Sequence, residues 1–117
     1  MFIFAFEKLE VWQESRLLVK EIYSITEQFP EKEKYGLISQ IKRASVSVSS
    51  NLAEGASRTS LKDQAHFYQI AYSSLIEVLN QLILSVDLTF LSVEEYHKLR
   101  LHIEKISNQL NALRNAR

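Results

Sequence analysis

The residues best equipped for chemistry in this chain are its histidines, and two of the three have a carboxylate three positions upstream: Asp63/His66 and Glu94/His97. That spacing puts both groups on one helix face. Helical bundles hold paired metals this way, with two Glu-x-x-His pairs and two further Glu. Here each pair falls in the first turn of its expected helix. The two helices start at opposite ends of an antiparallel bundle, so the pairs do not meet in one subunit. His97 and His102 are five apart, which is wrong for a shared face. We expect surface or capping groups, with no metal and no cofactor. There is no cysteine, so a thiolate site, a cysteine nucleophile and a disulfide scaffold are excluded. Serine is abundant, but no Gly-x-Ser-x-Gly elbow, Ser-His-Asp set or Gly-rich phosphate loop accompanies it. No enzyme is expected. A metal-dependent one, the catalytic alternative, would carry iron or manganese when purified.

Two other constellations are made for contact. Gln40, Arg43, Ser47, Asn51, Glu54 and Arg58 recur at helical steps, about 200° from the apolar seam of the same segment. They read either as a solvated face or as a semi-buried network at a subunit interface. Small neighbours (Ala44, Ser45, Ser47, Ser49, Ser50, Ala53) would let another helix approach closely. Glu77, an isolated acid in the apolar stretch SSLIEVL, is a candidate partner for Arg43 or Arg58, because an unpaired buried carboxylate is costly. The second constellation is basic. Arg58 and Lys62 approach Arg114 and Arg117 at one end of an up-down bundle, with Lys105 nearby. This is either an ordinary surface complementing helix C-termini or a phosphate-binding rim. No aromatic residues interleave with these bases, so base-specific readout is not expected.

Both constellations depend on helices. The chain has 117 residues, 46% of them hydrophobic, with 2 Gly and 1 Pro, which favours one domain of long helices over residues 1–117. Val11, Ser15, Leu18, Ile22, Ile25 and Phe29 form the first seam, ended by Pro30. Ile38, Ile41, Ser45, Val48, Leu52 and Gly55 form the second. Within it, Ser45–Ser49 alternates Ser and Val like a strand. The helical period runs much longer, and a lone strand would leave its backbone groups unpaired. Gly55 suits a position just past the helix end. Leu61, Ala65, Tyr68, Tyr72, Leu75, Leu79, Leu82 and Val86 form the third seam, started by Ser60 with Asp63. That helix carries two more apolar lines, Ile76/Ile83/Phe90 and Phe67/Ala71/Val78, which is excess for one bundle and points to a partner surface. The fourth opens with a Ser92/Glu95 capping box and a Leu91/Tyr96 staple, and its seam is Tyr96, Leu99, Ile103, Ile106, Leu110, Leu113. The fold expected is an all-α, up-down-up-down antiparallel four-helix bundle.

Net charge is zero but uneven: −3 over residues 7–33, +4 over 34–62, −5 over 63–97 and +4 over 98–117. A generic nucleic-acid binder is disfavoured, while a local basic face is not. The apolar start, MFIFAF, has no basic n-region and runs straight into EKLEVWQE, so no signal peptide is expected, and no apolar run reaches a membrane span. A cytoplasmic protein is expected.

Three stretches, FEKLEVWQES, FPEKEKYGLISQIKRASVSVSSNLAEGASR and AYSSLIEVLNQL, resemble the bacterial 23S rRNA intervening-sequence protein family. Its pattern is matched by Phe6, Leu9, Val11 and Trp12, then by Phe29, Pro30, Glu33, Tyr35, Gly36, Leu37 and Gln40. It continues with Arg43, Asn51, Glu54, Gly55 and Arg58, and ends with Ser74 and Glu77, where Ser73 replaces the family's Gly. The likeness runs from about residue 6 to 113. It implies a ring-like homopentamer and no established enzymatic activity. It also implies a relation to the similar accessory protein of diversity-generating retroelements, which works with a reverse transcriptase and nucleic acid. The function expected is a non-enzymatic oligomeric adaptor that contacts RNA, DNA or a reverse-transcriptase-like protein through a basic end face. The alternative is a protein-only scaffold.

Overall fold

A computed structural model describes residues 1–116. A 3₁₀ turn at Ala5–Lys8 leads into four helices: α1 (Glu10–Thr26), α2 (Leu37–Ser57), α3 (Leu61–Asp87) and α4 (Val93–Asn115), with a second 3₁₀ turn at Glu31–Glu33. The described residues contain no strand. Each helix packs on two others, in the cyclic order α1, α2, α3, α4, and α2 and α3 make the most extensive contact. One hydrophobic cluster joins all four, from Val11, Leu18 and Ile22 through Ile41, Val48 and Leu52 to Leu75, Leu82, Ile106 and Leu110.

Local chemistry sets the ends. After α1 the carbonyls of Ser24, Ile25 and Thr26 accept from the N–H groups of Glu27, Gln28 and Phe29, and Pro30 turns the chain away. Gly36 has no side chain with which to cap α2, so Glu33 Oε1 accepts from the Leu37 N–H at 3.2 Å instead. Ser60 Oγ caps α3 by accepting from Asp63 N–H at 3.1 Å, and Ser92 Oγ caps α4 by accepting from Glu95 N–H at 3.1 Å. Gln28 at the foot of α1 donates to Glu95 Oε2 at 3.0 Å, tying that cap to the first helix. These bonds, with Gln28 foremost, hold the Glu95 carboxyl below its usual range. Between α3 and α4, Thr89 takes a φ of 64°, unusual for a β-branched residue, and the Phe90 and Leu91 N–H groups both donate to the Ser85 carbonyl.

The Ser-Val stretch is helical throughout, inside α2. Buried hydroxyls return their protons to their own helix: Ser15 to Trp12 O, Ser45 to Lys42 O, Thr26 to Ile22 O and Ser85 to Gln81 O. Two expectations change. Gly55 lies inside α2 rather than past its end, with no positive φ. Its role is steric, because a Cβ there would meet Tyr68 Cε1 at 2.6 Å and Phe67 Cβ at 3.2 Å. The buried face of α3 is also rotated from the expected seam. It is Tyr68, Ala71, Ser74, Leu75, Val78, Gln81, Leu82 and Ser85, while Leu61 and Ala65 are exposed. The face against α2 is therefore rich in small residues, and Ile76 and Ile83 point outward.

Gly55→Ala gains about 1 kcal/mol of helix propensity but must displace a buried ring and a backbone-proximal Cβ. Overpacking costs about 1–3 kcal/mol, so we expect a net loss of about 1 kcal/mol in urea unfolding, with helical circular dichroism retained.

Candidate interaction surfaces

The polar stripe of α2 divides in two. Its middle is turned against α3: Ser47 Oγ and Ser74 Oγ share a hydrogen bond of 2.8 Å, and Asn51 Nδ2 donates to Ser47 O at 2.8 Å and to Ser47 Oγ at 3.0 Å. Its ends, Gln40, Arg43, Glu54 and Arg58, are exposed. Glu54 and Arg58 form an ion pair at 3.8 Å, one helical turn apart, with about half of each side chain in solvent. Such a pair is worth little to stability. Glu77 is also exposed and takes a hydrogen bond of 3.1 Å from Gln81 Nε2, and within the chain Arg58 pairs with Glu54 instead of with it. Gln81 is buried, and its Oε1 has no partner.

The bases are held by aromatic rings the sequence did not place beside them. Arg58 lies over Phe67 at 4.5 Å and Arg114 over Tyr72 at 5.0 Å, so guanidinium groups from the residue after α2 and from α4 contact the first half of α3. Arg114 Nη2 also donates to Gln69 Oε1 at 2.6 Å. Lys62, in the first turn of α3, is exposed. The rings lie beneath the cations rather than open to a base. Lys105 is engaged elsewhere, in an ion pair of 3.3 Å with Glu14 on α1. Arg117 lies outside the described residues.

Lys105 belongs to a cluster that sequence reading missed. His102 on α4 bonds through Nε2 to Glu14 Oε1 at 2.8 Å and through Nδ1 to Glu21 Oε1, both on α1. Each ring nitrogen of His102 therefore meets one carboxylate of α1. Glu14 and His102 are largely buried, at 17% and 15% side-chain exposure, while Glu21 is more open at 42%. The His102 bond holds the Glu14 carboxyl below its usual range against the opposing effect of burial, and Lys105 adds to it. The available signal was two acids seven apart on one helix, with His and Lys three apart on another. Asp63, His66, Glu94 and His97 are all exposed. Among the described residues no group of three or more His, Asp or Glu is placed to hold a metal ion, and no helix is long and apolar enough to cross a membrane.

The remaining feature is apolar. On α3, Ile76 and Ile83 share one exposed line, Leu84 is exposed beside it and Leu88 at the helix's C-cap, all at 38–52% and interleaved with the exposed Glu77, Asn80 and Asp87. The N-terminal residues Phe2, Ile3 and Phe4 are also exposed, at 76%, 45% and 59%.

Four helices around one core, with polar, basic and apolar surfaces around it, define a four-helix-bundle protein. Within that class, the sequence model described as 23S rRNA-intervening sequence protein matches residues 7–112, and the chain belongs to that family. No curated protein matches the chain.

Because the folded pKa of Glu14 is depressed, its contribution is complete above the unfolded value and is lost as pH falls through the folded one. Glu14→Gln should lower stability at pH 7 by about 1 kcal/mol, solvent screening included. The difference from wild type should shrink as pH falls below about 4. Urea titrations from pH 7 to pH 3 measure it, and a difference independent of pH would contradict the assignment.

Proposed function

We propose that the chain is a non-enzymatic, cytoplasmic adaptor that works as an assembly, an up-down-up-down bundle closing into a ring-like homopentamer. The observation that carries this reading is the exposed side of α3, where Ile76, Ile83 and Leu84 stay in solvent, bordered by Glu77, Asn80 and Asp87, on a helix already packed by α2 and α4. Large aliphatic side chains left in solvent within a polar border suit a contact site. The antiparallel order is supported by the contacts: Ser47 faces Ser74 while Gly55 faces Tyr68, and Glu14 reaches Lys105 while Gln28 reaches Glu95.

The partner assigned to the adaptor is the phosphate backbone of RNA or DNA, or a reverse-transcriptase-like protein that handles one. It would be met at the end where α3 begins. Arg58 and Arg114, set over rings of the first half of α3 with Lys62 in its first turn, support this reading. A fivefold ring repeats the three charges, and weak contacts made together gain strongly over single ones. Lys105 is left out, since Glu14 already engages it.

Native mass spectrometry should give five times the chain mass of 13.6 kDa, and Glu54→Ala should shift the distribution toward smaller species. A monomer in the wild type would overturn the assembly reading. Fluorescence anisotropy of a labelled structured RNA should show binding that weakens steeply with salt. Replacing Arg58, Lys62 and Arg114 together by Ala should cut affinity by about tenfold or more and flatten the salt slope. Without binding even at low salt, the protein-only scaffold becomes the better description.

A further inference from the structure

The sequence spaces no aromatic residue among the bases where α3 begins, yet folding brings a row of rings beside them. Phe2 meets Phe4 edge-on at 5.0 Å, Phe4 stacks toward Phe6 at 6.5 Å, and Phe6 meets Trp12 at 4.9 Å. A cation stands at the Trp12 end of the row, where the exposed Arg16 lies over the indole at 5.4 Å. The other end reaches Arg58. Phe4 and Phe6 line a groove with Ala53, Glu54, Ala56 and Ser57 of α2, and Glu54 carries the ion pair of 3.8 Å to Arg58. Arg58 in turn lies over Phe67, and Lys62 is exposed in the first turn of α3.

The row is held from below. Glu7 Oε1 accepts from the Phe4 N–H and the Glu7 N–H donates to Phe4 O, both at 3.0 Å. Phe6 and Trp12 are half-buried, and the 3₁₀ turn that carries Phe6 packs on both α1 and α2. Phe67 and Tyr72 have cations set over them, whereas Phe2 and Phe4 remain 76% and 59% exposed. Phe4 is seated along the last turns of α2, so Phe2, edge-on to it, is the more open of the two. Rings left in solvent beside exposed bases meet both needs of an unpaired strand. Its bases stack on aromatic side chains, and its phosphates are drawn to guanidinium and ammonium groups. A duplex uses only the second, because its bases already stack on one another. Charge sorts the two kinds of contact. Residues 1–6 carry no charged side chain, while Glu7 and Glu54 at the base of the row repel phosphate. Uncharged bases are admitted there, and the backbone is turned toward Arg58 and Lys62.

We infer that Phe2 and Phe4 form a stacking platform for the unpaired bases of a single-stranded nucleic acid whose phosphates lie along Arg58 and Lys62. The inference rests on the basic-end reading above and names the class of nucleic acid that this end selects. Fluorescence anisotropy with two labelled probes tests it: a short unstructured RNA, and the same strand paired with its complement. At equal salt the full chain should bind the single strand more tightly, against the higher charge density of the duplex. Phe2→Ala should weaken single-strand binding by about tenfold and leave duplex binding and the salt slope unchanged. Phe2→Trp, which keeps a stacking ring, should bind as the wild type does. Helical circular dichroism should be the same in both variants, because Phe2 precedes every helix. Replacing Arg58 and Lys62 together by Ala should weaken both probes. If the probes bind but the duplex is preferred, or Phe2→Ala changes neither or both alike, the platform is wrong and the basic end stands. If neither probe binds at low salt, both readings fall together.

Discussion

The structure depends first on how closely α2 and α3 approach. Gly55 leaves room for the Tyr68 ring, and Ser47 reaches Ser74 directly, oxygen to oxygen. Dispersion falls off steeply with separation, so close backbones gain contacts that larger side chains would hold apart. Small residues forgo buried apolar area of their own. The two helices recover it with large residues just off the contact line, Ile41, Val48 and Leu52 on one and Leu75, Val78 and Leu82 on the other, all fully buried.

The uncovered side of α3 follows from the same constraint. A helix drawn tightly against α2 and flanked by α4 can bury only part of its circumference, and α3 is apolar over more than that part. The buried arc includes Ser74, Gln81 and Ser85, while Ile76, Ile83, Leu84 and Leu88 remain outside. Residues 63–97 contain no Lys or Arg, and the bases gather where α3 begins.

The helices were legible in the sequence because their apolar steps of three and four persist over many turns, long enough to outvote the brief Ser-Val alternation inside α2. The caps at Ser60 and Ser92 were legible because a hydroxyl three residues ahead of an acid has few other uses at a helix start. The facing of α3 was not. It carries three apolar lines, and hydrophobicity alone gives no reason to bury the one containing Ala71, Ser74 and Gln81. That choice is made by size, against a glycine on another helix. The neighbours of Arg58 and Arg114 were hidden for a related reason, since Phe67 and Tyr72 come beneath the guanidinium groups only once three helices are packed. The Glu14–His102–Glu21 cluster was the least visible, because its partners are more than eighty residues apart and no local pattern ties them.

That cluster also removes a freedom that the oily core leaves open. Apolar contact is non-directional, so by itself it fixes the axial position of a helix less sharply than a directed hydrogen bond does. His102 sits between two acceptors seven residues apart on α1, which brackets it along the axis from above and below. Sliding α4 either way breaks one bond without making another, and rotating it about its own axis breaks both. The imidazole is a locating pin. It fixes the position of α4 against α1, and with it the position of Arg114 near the far end of the same helix.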